Sequence, residues 1–261
     1  NYMIMSNISA IIGLLILPIS VTLFPAFSQV EALNRGVLPR LLGLSLRYGM
    51  IAIMPASIYL AVYSREIVVM LYGSGYKLAP AYLKVYTPLF ILLLVITVLQ
   101  VYLNSTDLQR ETLRSSLIML IIVLPTAPIL TSSCGVYGLI LSLIAGNIAR
   151  ALYMAAQIKS QLRMSSGLVG FIKILAACMA SSTVSLLIGL YAKTPIVTLL
   201  LTLPTFIITY LSLLPAIRAI SHEDIENMRI LMEGIPLIKG LGVYTLKYME
   251  IVMETIGRLL D

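Results

Sequence analysis

Tryptophan is absent from this sequence, histidine occurs once and cysteine twice. Structural metal sites use three or four clustered nitrogen, sulfur or oxygen ligands. With His222 as the single imidazole and Cys134 and Cys178 far apart, no metal and no cofactor is expected. Cys134 falls in a short predicted connection and Cys178 within a predicted helix. Both read as small apolar fillers, since a disulfide would need both on an oxidising side of a membrane. Acidic residues are scarce as well, and only Glu31, Glu66, Asp107 and Glu111 precede residue 221. Acid–base or metal-assisted catalysis at a membrane needs carboxylates or histidines around the reacting group. No HExxH, P-loop or GxSxG pattern is present, and Gly73-Ser-Gly75 reads as a tight turn. An enzyme is therefore not expected, and nothing points to nucleic acid.

Charge itself is sparse. Charged residues make up 11% of the chain against 59% hydrophobic, where a soluble domain has about 25% charged. Mean hydropathy is +1.00. What fills the space is a series of apolar stretches, such as Ile8–Phe24, Ile51–Val62, Leu89–Leu103, Leu117–Leu130, Gly138–Ala156, Ile172–Tyr191 and Pro195–Leu214. A bilayer core of ~30 Å needs about 20 mostly apolar residues in a helix. The expected fold is all-α: a polytopic transmembrane bundle of about seven spans, over 3–27, 42–63, 79–103, 112–131, 136–158, 168–191 and 195–217. Its bundle domain covers 1–220, and 221–261 is an amphipathic helical tail. The first residue is Asn1 and an apolar helix follows at once, so the expectation is a chain cut from something longer.

The positive charge is unevenly placed. Residues 1–220 hold 14 Lys/Arg against four acids, net +10, and residues 221–261 hold four against seven, net −3. Ten of the 14 fall on one side of the predicted spans, including Arg35, Arg40, Arg110, Arg114, Lys159, Arg163 and Arg218. Arg65, Lys77, Lys84 and Lys193 fall on the other. The positive-inside rule assigns the ten-charge side and the C-terminus to the cytoplasm. Attraction to an anionic lipid or substrate is the other reading of the same excess. Tyr59, Tyr63, Tyr72, Tyr76, Tyr82 and Tyr86 crowd the outer connection, either as an interfacial belt or as a sugar-stacking surface.

Prolines interrupt most spans, as membrane helices tolerate. In the tail, Ser221 reads as an N-cap with His222, Glu223 and Asp224 in the first turn. Tyr244–Leu260 reads as an amphipathic helix lying on the inner membrane face or against the bundle. The residues most open to a functional reading are the cations nearest the hydrocarbon, Arg47, Lys84 and Arg150. Intramembrane charges face a wet cavity or a partner, unless they snorkel to the headgroups. Cations lacking acidic partners suit an anionic cargo.

Two stretches carry a family likeness: Thr22-Leu-Phe-Pro25-Ala-Phe-Ser28 at the end of the first span, and Leu46-Arg-Tyr48, Pro55 and Glu66-Ile-Val-Val-Met-Leu-Tyr72-Gly73-Ser-Gly-Tyr76-Lys-Leu-Ala79. Over about residues 1–220 the chain resembles the second half of the Wzx-like polysaccharide flippases of the MOP superfamily, relatives of the lipid II flippase MurJ and the MATE antiporters. The resemblance implies two helical lobes around a central cavity, the first lobe being absent from this chain. It also implies alternating access that moves a polyprenyl-linked oligosaccharide across the cytoplasmic membrane; the high Ile, Leu and Tyr content with no Trp suggests a prokaryote. A cation-coupled antiporter on the same fold and a non-transporting membrane scaffold are the alternatives. An antiporter wants an intramembrane carboxylate.

Overall fold

The computed structural model describes residues 1–158, 164–221, 224–226, 245–253 and 255. Among them the regular elements are all helical: α1 (Tyr2–Leu33), a 3-10 turn (Arg35–Val37), α2 (Leu38–Val62), α3 (Ser64–Tyr72), α4 (Ala79–Tyr86), α5 (Pro88–Ser105), α6 (Gln109–Cys134), α7 (Val136–Gln157), α8 (Met164–Gly189) and α9 (Pro195–Ala216). Among the described residues seven helical stretches are long and apolar enough to cross a membrane, α4 and α5 together forming one of them. The chain is thus a polytopic helical membrane protein. Two compact units divide it, Asn1–Leu168 and Val169–Asp261.

The helix ends have local causes. Asn34 leaves α1 in an extended conformation, and its Oδ1 accepts a bond from the Gly36 amide at 3.0 Å, an Asx turn that reverses the chain. Pro39 then lies in the first turn of α2, where a missing N–H leaves nothing unbonded. The α6–α7 connection is Gly135 alone, at φ +59°, which a glycine adopts without steric penalty. Asp107, also at positive φ, turns the chain between α5 and α6. Pro88 has no N–H to bond the Lys84 carbonyl, and the Thr87 Oγ1 bonds that carbonyl at 2.9 Å. That substitution separates α4 from α5 without ending the span.

In the first unit α5 is the central helix. Leu89, Phe90, Leu94, Ile96, Val98, Leu99, Tyr102 and Leu103 are buried around its circumference, as expected of a helix apolar on all sides. α1, α2 and α7 pack on it. Phe27 of α1 meets Tyr102 edge to face at 5.6 Å. A Cβ on Gly49 of α2 would lie 2.8 Å from Leu94 Cδ1, so that glycine permits the close approach of α2. α6 buries little besides Ser115, and its Leu117, Leu120, Ile121 and Leu124 are exposed.

In the second unit, buried Ala177, Ser181 and Ser185 run at i, i+4 spacing along α8. Cys178 of α8 meets Tyr210 of α9. The Ser221–Asp224 pair forms a reciprocal cap: Ser221 Oγ accepts from the Asp224 amide at 3.2 Å and Asp224 Oδ2 accepts from the Ser221 amide at 2.8 Å. The N-cap expected at Ser221 is therefore present. Residues 245–253 are helical, with Leu246 and Met249 buried. Tyr248 is hydrogen-bonded to Ser212 of α9 at 2.7 Å. His222, Glu223 and, from the expected amphipathic helix, residues 244, 254 and 256–260 lie outside the described residues.

Candidate functional site

Thr97, Gln100 and Asn104 stand at i, i+3 and i+7 on α5, an otherwise apolar helix. With Ser20 of α1 they line a cleft of about 290 Å³ whose remaining walls include Ile16 and Val101. Both hydroxyls satisfy their own helices: Ser20 Oγ donates to the Leu17 carbonyl at 2.8 Å and Thr97 Oγ1 to the Leu93 carbonyl at 2.8 Å. The Asn104 Oδ1 accepts from Thr112 Oγ1 at 3.0 Å. Their oxygens retain acceptor capacity, and the Gln100 carboxamide carries two donors and an acceptor. The cleft is polar, uncharged among its described lining residues, and set in apolar surroundings. Sequence reasoning weighed charges and overlooked this stripe, although three amide and hydroxyl residues on one face of so apolar a helix were a visible signal.

Two of the expected cations fall in the same half of their spans as Gln100. Consecutive spans alternate in direction, so the N-terminal end of α2 and the C-terminal ends of α5 and α7 share a side. At 1.5 Å per residue, Gln100 lies about 8 Å from the end of α5, Arg150 about 10 Å from the end of α7 and Arg47 about 14 Å from the start of α2. Arg47 and Arg150 are both half-buried. The Arg150 Nε is fully enclosed and has no hydrogen-bond partner. Among the described residues no carboxylate pairs with it.

Arg150 occupies its position because of the packing that precedes it. Gly138, Ser142 and Gly146 are buried on one face of α7, and Arg150 is the next residue at i+4. A Cβ on Gly138 would fall onto the Leu130 carbonyl, and one on Gly146 would crowd Val123. This is the small-residue packing that lets membrane helices approach backbone to backbone. Beyond Arg150, Tyr153 Oη donates to Glu111 Oε2 at 2.6 Å, and Arg114 pairs with Glu111 Oε1 at 2.7 Å. The acid nearest in fold to this end of α7 is thereby committed to α6 and Tyr153.

Lys84 is placed elsewhere. It is exposed on α4 and lines a separate cleft of about 510 Å³ with Arg65 and Lys77, toward the opposite end of the spans from Arg150. The three expected site residues thus divide into two regions, Arg47 and Arg150 in one half of their spans and Lys84 in the opposite half. Among the described residues no group of three or more His, Cys, Asp or Glu side chains could hold a metal ion. No family model matches this chain, and no curated protein matches it.

Proposed function

We propose that this chain is one helical lobe of a transporter that flips a lipid-linked oligosaccharide across the cytoplasmic membrane of a prokaryote by alternating access. The observation that carries the reading is the uncharged polar cleft of about 290 Å³ between α1 and α5, lined by Ser20, Thr97, Gln100 and Asn104. Hydroxyl-rich cargo is matched by amides and hydroxyls, and each polar group left unsatisfied in hydrocarbon costs several kcal/mol. Arg150, in the same half of its span as Gln100 and with no carboxylate partner among the described residues, suits the phosphate of a polyprenyl carrier. No covalent chemistry is required, only two conformations with different affinity for the cargo. On the family resemblance a second helical lobe completes the cavity, and the basic side with the C-terminus faces the cytoplasm.

The test is exchange of a fluorescent polyprenyl-pyrophosphate oligosaccharide between leaflets of proteoliposomes holding the full protein, read as protection from an external glycosidase. Acceleration over empty liposomes, slowed about tenfold or more by Gln100→Ala and by Arg150→Ala, is the expected result (a loss of ~1.4 kcal/mol or more). Exchange no faster than in empty liposomes across several glycans would reject the reading and favour the antiporter or scaffold alternatives.

A further inference from the structure

The cleft around Lys84 is built on a helical hairpin. Arg65 lies in the first turn of α3 and Lys84 in the last turn of α4, and Lys77 sits in the connection between them. Gly73, at φ +80°, ends α3 and starts the reversal. Its walls bring Arg65, Lys77 and Lys84 around one space of about 510 Å³, with Ser74 and Tyr76 adding hydroxyls. That volume falls within the range of about 300–1,000 Å³ typical of small-molecule sites. Among the described residues none of the three cations is paired with a carboxylate. Glu66 neighbours Arg65 in sequence, but it does not line the cleft. Like charges gathered without a counter-charge repel one another, and a bound anion relieves that repulsion.

The rim of the cleft identifies where the anion comes from. Met70, Leu71, Tyr72, Tyr76 and Leu78 are all exposed around the hairpin, between the end of α2 and the start of the next span. Exposed apolar side chains and tyrosines beside cations are the composition of an element lying at headgroup level. We infer that the Arg65–Lys77–Lys84 cleft binds the phosphate of a membrane lipid headgroup, the lipid's chains lying along the apolar rim. This site is distinct from the polar layer at Gln100 and Arg150, and it does not depend on the transport reading.

The absence of tryptophan allows a single-reporter test. Tyr72→Trp, on α3 but outside the cleft lining, is introduced into the full chain in phosphatidylcholine vesicles. Quenching is compared between brominated-chain phosphatidic acid and brominated-chain phosphatidylcholine. Phosphatidic acid is expected to bind about fivefold or more tightly, and neutralising Arg65, Lys77 or Lys84 to Gln to weaken that preference by up to about fivefold each. Lys84→Arg should retain it. Lys193→Gln, a cation in the other unit, should leave it unchanged. Each variant is first required to match the parent in helical circular dichroism. Displacement of the lipid by millimolar inorganic phosphate would assign the same phosphate chemistry to a soluble source as well, and no displacement would assign it to the lipid. Equal quenching by the two lipids in the parent protein, or a loss with Lys193→Gln equal to that with Lys84→Gln, would overturn the inference.

Discussion

Tyr153 of α7 donates a 2.6 Å hydrogen bond to Glu111 of α6, 42 residues earlier in the chain. The same carboxylate receives Arg114 from one turn along its own helix. Glu111 is one of four acids before residue 221, and it is held at one end of the α6–α7 pair, whose helices approach closely at Gly138. Removing the phenol leaves the carboxylate with one partner fewer in a half-buried setting.

Tyr153→Phe is therefore expected to lower stability by a small, measurable amount. Charge-assisted hydrogen bonds contribute about 1.5–3 kcal/mol in water-soluble proteins, and interhelical bonds within membranes average nearer ~0.6 kcal/mol. Unfolding of the purified protein by increasing detergent denaturant, followed by circular dichroism, measures the difference. A Tyr153→Phe variant as stable as the parent would show that α6 and α7 are held by backbone packing alone.

That packing has its own prediction. The Cβ introduced by Gly138→Ala falls on a main-chain carbonyl, Leu130 O, whereas the Cβ of Gly146→Ala falls on the terminal methyl of Val123. Backbone cannot move without displacing the helix, but a methyl can rotate away. Gly138→Ala should cost about 1–3 kcal/mol and Gly146→Ala less, within the range for overpacked sites. The same denaturation measurement ranks them, and the opposite ranking would mean that α7 slides past Leu130 without resistance.

Arg150 separates stability from function. Its Nε is enclosed without a partner, and a buried unsatisfied donor costs about 1–3 kcal/mol. Arg150→Leu should thus match or exceed the parent in stability, by up to about 1 kcal/mol, while slowing leaflet exchange at least about tenfold if the arginine meets the cargo phosphate. Arg150→Lys keeps the charge but loses the planar fork, and should fall between. A leucine variant that is both less stable and equally active would make Arg150 a packing residue.

Much of this was readable from residue order. The seven spans were visible because apolar runs of the right length leave few alternatives, and the tight turn expected at Gly73-Ser-Gly75 follows α3. Three features were not. α3 was expected as part of a loop, because its nine residues Ser64–Tyr72 are too short for hydropathy to distinguish a helix from a connection. Helices α1 and α2 also run further than their apolar cores, so Glu31 and Arg40 are helical where a loop was expected; charged side chains do not end a helix whose backbone bonds are intact. The convergence of Arg65, Lys77 and Lys84 depends on how α3 folds back on α4, a tertiary relation that spacing along the chain does not encode. Gln100 was passed over for a different reason: a neutral amide draws less attention than a cation, although in hydrocarbon both need a partner.

Cys134 tests the orientation on which the cytoplasmic assignment of Arg47 and Arg150 rests. It is exposed at the last position of α6 beside the Gly135 turn, whereas Cys178 is fully buried in α8. A membrane-impermeant maleimide, which reacts with accessible thiols, should label one site on intact cells, and Cys134→Ser should abolish that labelling. Cys178 should react only after denaturation. If Cys134 is labelled only once the membrane is permeabilised, the protein is inserted the other way. Gln100, Arg47 and Arg150 would then lie in the outer third of the bilayer, and the lipid headgroups met by Arg65, Lys77 and Lys84 would be those of the cytoplasmic leaflet. The positive-inside bias of ten cations against four predicts external labelling, since Lys and Arg in short loops set orientation.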